Sequence, residues 1–249
     1  MTHPADDGFR LPADWAPHSR CWMAWPVRSE AWGEHLGQAR EAVGEVAEAI
    51  ARFEPVTMIA KTTKVAEVSL LTASGVSSFS LPQDDSWLRD NGPSFVTSGT
   101  GHVAGVQWRW NAWGGRYTEV DGDAMIPEKM LEQLSMRRYQ APLVFEGSAV
   151  MTDGEGTLIA NERMILDPKR NPGLQRAEAP GNLEELCGEE DRPDQARVEE
   201  EDHGVARREG ARPEQPQRQH RSGRSAFPPQ EHGGGRQAGQ RDRHIWAYQ

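Results

Sequence analysis

The chain has 249 residues, of which 27% are charged, and a formal net charge of −10. That balance argues against nucleic acid or an anionic membrane surface as partner, since both need clustered Lys and Arg, and it suits a small cationic ligand. Two cysteines, Cys21 and Cys187, are too few for a disulfide framework and lack metal-site spacing, so no metal is expected. No apolar run approaches the roughly 20 residues of a spanning helix. The N-terminus, from Met1, shows no basic stretch followed by an apolar one, so no signal peptide is expected and the cytoplasm is the expected compartment.

In chain order, Ala39, Val43, Val46, Ala47, Ile50 and Phe53 recur at helical spacing and predict an amphipathic helix ended by Pro55. Val56–Ala60 then reads as a short apolar strand, Val65–Ala73 as a helix capped by Gly75, and Val76–Leu81 as another strand. Ser94–Thr97 and His102–Trp110 flank Ser98-Gly99-Thr100-Gly101, which signals a hairpin. Met125–Arg138 reads as helical and Pro142–Phe145 as extended. Ala149–Thr152 and Thr157–Asn161 flank Asp153-Gly154-Glu155-Gly156, a second hairpin signal. Beyond this the composition changes. From Gly188 to His244 the only large apolar or aromatic residues are Val198, Val205 and Phe227, and the last lysine is Lys169. Such a segment buries too little surface to offset its ordering entropy, so disorder is expected there. The division expected is a globular domain over 1–186 and a tail over 187–249.

The order helix, strand, acidic loop, hairpin occurs around Val65–Trp110 and again around Met125–Asn161. Each strand end carries carboxylates before its hairpin, Asp84, Asp85 and Asp90 in one unit and Glu146 in the next. Units repeated about an axis would bring those acids together near its centre.

The most distinctive segment is Asp84-Asp85-Ser86-Trp87-Leu88-Arg89-Asp90-Asn91-Gly92-Pro93. It sets carboxylates beside an aromatic ring in a tight turn. A carboxylate accepts two parallel N–H bonds from a guanidinium, and an indole covers its face. An Asx-type turn capped by Asp85, with Trp87 in the core, accounts for the same residues. Asn111-Ala112-Trp113-Gly114-Gly115 offers glycines for positive φ or close approach to a ligand, or else a plain turn. Glu146-Gly147-Ser148 ends a strand with an acid able to orient a nitrogen or move protons, or else a solvated strand end.

Taken together these segments resemble the agmatine deiminase family, grouped with bacterial-type peptidyl-arginine deiminases. The resemblance runs from about Phe9 to Leu186. It is carried by Pro12-Ala13-Asp14-Trp15, His18, Cys21-Trp22-Met23-Ala24-Trp25-Pro26, Phe53-Glu54-Pro55-Val56-Thr57-Met58 and the Asp84–Pro93 segment. Asn111–Gly115, Phe145–Ser148, Asp153–Gly156 and Asn171-Pro172 add to it. It implies an α+β fold, a pentein-type β/α-propeller of repeated units, incomplete in this chain. It also implies hydrolysis of a guanidino group, agmatine to N-carbamoylputrescine and ammonia in polyamine synthesis, without metal or organic cofactor. In that family a cysteine thiolate attacks the guanidinium carbon and water resolves the covalent intermediate. By the same resemblance Asp90 and Trp87 bind substrate, with Asp85 expected to bind it beside them, Glu146 binds the guanidinium and assists proton transfer, and Trp113 and Gly114 line the pocket. Glu146-Gly147-Ser148 stands where Glu-Gly-Gly is usual.

The family's Gly-His-x-Asp base segment and its glycine-rich segment ending in the nucleophilic cysteine are not found in the sequence. Leu186-Cys187-Gly188 has no glycine-rich run before it, Asp202-His203-Gly204 reverses the acid–base order, and Cys21 lies in the tryptophan-rich motif. His232-Gly233-Gly234-Gly235 has no Gly-x-Ser-x-Gly elbow to serve and is compositional. An inactive chain is therefore expected, either a guanidinium-binding pseudoenzyme or a truncated gene product. The loss of Lys while Arg, Gly, Pro and Ala persist after Leu186 matches a GC-rich gene read out of frame, and translating the following DNA in the other two frames checks it.

Overall fold

The computed structural model describes residues 2–72, 75–188 and 246–247. Its elements are β1 (Phe9–Arg10), β2 (Cys21–Ala24), α1 (Ser29–Trp32), α2 (Leu36–Ala51), β3 (Val56–Ala60), α3 (Val65–Leu71), β4 (Val76–Ser80), α4 (Leu88–Asn91) and β5 (Ser94–Ser98). There follow β6 (Val103–Arg109), α5 (Ala112–Gly115), α6 (Asp121–Gln133), β7 (Arg137–Val144), β8 (Val150–Thr152), β9 (Leu158–Ala160), α7 (Glu162–Ile165), α8 (Ala179–Cys187) and β10 (Trp246–Ala247).

The continuous apolar runs of β2 and β3 become parallel strands covered on both faces, as such runs require. The first sheet has the order β10-β2-β3-β4 and every neighbouring pair in it is parallel. Cys21, Met23, Trp25, Val56 and Met58 pack with Ala47 of α2 and Val68 of α3. Trp22, Ala24 and Ile59 face the other way, onto Leu88, Ile126, Met130 and Leu131. The second sheet, β1-β5-β6-β7, contains the first expected hairpin as the antiparallel β5–β6 pair and returns through α6 to β7, parallel to β6. The second expected hairpin is the antiparallel β8–β9 pair, with Met151 opposite Ile159. The expected order thus occurs twice, as α3, β4, the Asp84–Asp90 loop and β5–β6, then as α6, β7, Glu146 and β8–β9.

The boundaries at both ends of α6 and at the end of α2 differ from the sequence reading for identifiable reasons. α6 starts at Asp121, ahead of its apolar pattern, because the Asp84 carboxylate accepts the N–H groups of Gly122 and Asp123 at 2.8 and 3.1 Å. It stops at Gln133, with Ser135 at φ 53, so Arg137 and Arg138 enter β7 beside Ala104 and Gly105 instead of extending a helix. There tertiary strand pairing overrides helix propensity. Helix α2 ends at Ala51, so Phe53 falls past the helix and is 90% exposed instead of joining the apolar stripe.

At the other end α8 closes at Cys187 with Gly188 in the left-handed cap (φ 72), and Leu183, Leu186 and Cys187 join the core over β5, β6 and β7. Trp246 and Ala247 lie parallel to Cys21 and Trp22 of β2. The rest of the expected tail lies outside the described residues. Among the described residues no helix is long and apolar enough to cross a membrane.

Candidate functional site

From the end of β4 through α4 the chain carries three carboxylates, which take three different tasks. Asp84 caps α6. In return Asp123, in the first turn of α6, accepts the backbone N–H groups of Asp84 and Asp85 at 2.7 and 3.2 Å. Burial pushes the Asp123 carboxyl up to about 6, although those two N–H groups favour its charged form. This reciprocal capping seats the loop on the helix.

Asp85, buried at 1% exposure, is saturated with donors. Its Oδ1 accepts the indole N–H of Trp32 at 3.0 Å and the backbone N–H groups of Val27 and Arg28, both at 3.4 Å. Its Oδ2 accepts the indole N–H of Trp87 at 2.7 Å. The two indoles so held are stacked, 5.8 Å between centroids and 5° apart in plane. Asp85 thus stands behind the aromatic wall.

Asp90 sits on the single turn α4, at the front of that wall. Its Oδ1 accepts the hydroxyl of Ser148, and its Oδ2 accepts the indole N–H of Trp113 at 3.3 Å. Ser148 is the residue that departs from the usual Glu-Gly-Gly, and its hydroxyl links the two acidic loops. Trp113 meets Trp87 edge to face at 5.9 Å and Trp110 at 4.6 Å.

Trp113 reaches this place through an unusual backbone. Ala112, Trp113, Gly114 and Gly115 have φ of 55, 56, 79 and 85, a turn of left-handed helix. The N–H groups of Gly115 and Arg116 bond the carbonyls of Asn111 and Ala112, each at 2.8 Å, as in a mirror-image α-turn. A left-handed non-glycine residue costs about 1–2 kcal/mol, and strain of this kind persists where surrounding structure over-determines it. Here Asn111 supplies that determination. Its Oδ1 accepts the Gly114 N–H and its Nδ2 donates to the Lys169 carbonyl, both at 2.9 Å.

Glu146 lies two residues past the end of β7 and is fully buried. Burial raises its carboxyl above the ordinary glutamate range; the Arg170 guanidinium pulls it down, and the Asp90 charge pushes it up. Arg170 Nε lies 2.8 and 3.2 Å from the two Glu146 oxygens. The turn after Glu146 packs directly on α4, since a Cβ at Gly147 would stand 2.5 Å from the Arg89 carbonyl oxygen. That contact brings the Glu146 and Asp90 segments together, while Asp84 and Asp85 turn to α6 and to the indoles.

The structure therefore gathers Asp90, Trp87, Trp113, Gly114 and Glu146, with Asp85 supporting the indoles. Among the described residues, Asp90 accepts from Ser148 and Trp113, and Glu146 from Arg170. Cys21 and Cys187 are buried in separate apolar clusters, and His18 bonds Glu54 at 2.6 Å. Arg170 and Trp32 were missed as members of the site. Arg170 adjoins the Asn171-Pro172 motif, the one signal pointing to it, while Trp32 carries no signal in its sequence surroundings. Among the described residues no group of His, Cys, Asp and Glu is disposed to hold a metal ion.

Residues 10–191 match the family of Porphyromonas-type peptidyl-arginine deiminases. The agmatine deiminase of Stutzerimonas stutzeri is 40% identical over 188 residues, 73% of this chain and 51% of that protein. That of Ectopseudomonas mendocina is 40% identical over 190 residues, 74% of this chain and 52% of that protein. A solved structure of agmatine deiminase of Enterococcus faecalis catalysing its reaction superposes with a TM-score of 0.73 at 31% identity, covering 76% of this chain and 53% of that one. The chain spans about half the length of the curated relatives it matches.

Proposed function

The chain belongs to the Porphyromonas-type peptidyl-arginine deiminase family of propeller-fold hydrolases, and from that premise we propose that its described body is the guanidinium-binding part of an agmatine-deiminase-type enzyme. The observation that carries this reading is the packing of the Glu146-Gly147-Ser148 turn on the helix of Asp90, with Ser148 bonded to Asp90, beside the Trp87–Trp113 indole pair. Two carboxylates on one side of a planar cation would take its N–H groups pairwise, and the indoles would cover its faces. Agmatine suits the site because its relatives are agmatine deiminases.

Turnover would require a thiolate to add to the guanidinium carbon, ammonia to leave with a proton from a general acid, and water to displace the sulfur, leaving the substituted urea. Glu146 is the group in this chain suited to handle those protons. The sequence holds neither the Gly-His-x-Asp segment nor a glycine-rich segment ending in cysteine, so this chain should bind without turning over.

Calorimetric titration with agmatine, paired with an ammonia assay, tests both halves of the reading. We expect saturable heat of binding and ammonia at background. No heat with a folded chain would defeat the binding assignment. Ammonia release that survives Cys21→Ala and Cys187→Ala would defeat the assigned mechanism, and release lost with Cys187→Ala would make Cys187 the nucleophile. The retained acids without a base segment also favour a second reading, a pseudoenzyme that only binds. It predicts that neither alternative reading frame after Leu186 encodes the two segments.

A further inference from the structure

Arg170 lies in Asp167-Pro168-Lys169-Arg170-Asn171-Pro172, a loop tied down at several points. Asp167 folds the loop on itself. Its carbonyl accepts the N–H groups of Arg170 and Asn171, both at 2.8 Å, and its Oδ1 accepts that of Lys169 at 2.9 Å. Asn171 sews the loop to the end of β7, taking the Val144 N–H and donating to the Val144 and Ile165 carbonyls, each at 2.9 Å. Val144 is two residues from Glu146, so the loop and the acid are fixed to the same strand end.

From that anchor the Arg170 side chain, 11% exposed, lies between two carboxylates. Nε spans both Glu146 oxygens, and Nη1 donates to Asp167 Oδ2. The left-handed turn closes against the same group. A Cβ on Gly114 would stand 3.2 Å from Lys169 Cβ, 3.4 Å from Asp167 Oδ2 and 3.5 Å from Arg170 Nη1, where φ +79 already favours glycine. One guanidinium thus joins the acid, the loop and the wall carrying Trp113.

We propose that Arg170 is a positioning residue that keeps the buried Glu146 ionised and aimed at the bound guanidinium, so that the site binds its cation at neutral pH. The proposal rests on the guanidinium-binding reading for its purpose, though not for its first measurement. An isolated carboxylate at this depth would take up a proton in preference to staying charged. The charges facing Glu146 are Arg170, with Asp167 behind it, and Asp90 from α4, whose like charge works against ionisation. Arg170 is the cation among them. Its planar fork reaches two acids at once, which the single ammonium of lysine does not reproduce.

The test is a ligand-free carbon-13 titration of the glutamate carboxyl resonances in the full chain, with Glu146 assigned by its loss in Glu146→Gln. Arg170→Gln should raise the Glu146 midpoint by about one unit or more, and Arg170→Lys by less. Should Arg170→Gln fail to fold, Arg170→Lys still decides, because a midpoint at or below the wild-type value contradicts the proposal. A midpoint unmoved by Arg170→Gln also overturns it. Agmatine titrated at pH 6, 7 and 8 forms the second readout. The glutamine variant should bind about tenfold more weakly at pH 7, losing less as pH rises. Wild type that titrates as expected and yet does not bind agmatine would count against the proposed function alone.

Discussion

At Asp85 one carboxylate accepts two indole N–H groups and two backbone N–H groups, and that set of bonds explains why Trp32 and Trp87 stack where Asp90 needs a wall. Replacing the acid with its amide tests this. Asp85→Asn turns one acceptor oxygen into a donor that faces N–H groups, leaving buried donors unpaired at about 1–3 kcal/mol. We expect the urea midpoint to fall by that amount at unchanged slope, with agmatine binding lost as the wall loosens. A variant of wild-type stability would mean that packing alone holds the indoles. Trp113→Phe asks a narrower question, since it keeps a ring against Trp87 and removes the N–H to Asp90. Its melting temperature should change little, while agmatine affinity falls by about three- to tenfold, the worth of one hydrogen bond to a charged group. The sequence pointed to Asp90, Trp87 and Glu146 through motifs shared with the family, while their residue types alone left a plain turn or strand end equally open. The Asp85 task was not legible, because its four donors come from Val27, Arg28, Trp32 and Trp87, three of them more than fifty residues away.

Among the elements, the turns on either side of the acids decide how their loops meet. Gly147 lets the turn after β7 rest on α4, with no room for a methyl group against the Arg89 carbonyl. Gly147→Ala should therefore displace one loop from the other, costing about 1–3 kcal/mol as an overpacked core site does and separating Ser148 from Asp90. Chemical denaturation together with agmatine titration measures both effects. Full stability with full binding would show that the two loops adjust without loss. The left-handed turn at Ala112–Gly115 was open to reading only as far as its two glycines. That Ala112 and Trp113 share the conformation follows from Asn111 and the Lys169 loop, which periodicity does not report. Helix α6 shows the same dependence, since its first turn answers to Asp84.

For the molecule as a whole, two buried acids shape the pH response. Asp123 is raised from 3.8 to about 6, and Glu146 is raised as well, both by burial. The folded form then holds these protons more tightly than the unfolded one. The Asp123 contribution is fully present below about pH 4 and is lost as pH rises through about 6. Between pH 8 and pH 5 the chain should become more stable, by on the order of 1–1.5 kcal/mol from Asp123, or roughly 3–5 °C in melting temperature. Asp123→Asn keeps an acceptor for the Asp84 and Asp85 N–H groups and removes the titration, so its melting temperature should vary far less over that range. Equal slopes in the two proteins would show that Asp123 is not the group responsible. Asp153 and Asp167, held below the ordinary range chiefly by backbone N–H donors, titrate at more acidic pH.

The sequence by itself determined the main element order from Ala39 to Asn161, the two hairpins, the doubled unit with an acid at each strand end, and the family. These are written in local periods, in turn residues, and in ordered short motifs, all of which act over a few positions of chain. Tertiary structure alone decided which acid bonds Ser148 and Trp113, which one holds the Trp32 and Trp87 indoles, and which one caps a helix, because Asp84, Asp85 and Asp90 are chemically equivalent until distant donors reach them. It also decided that Arg170 pairs with Glu146 across twenty-four residues. A carboxylate's task is set by the charges and N–H groups that surround it, and folding is what brings them there.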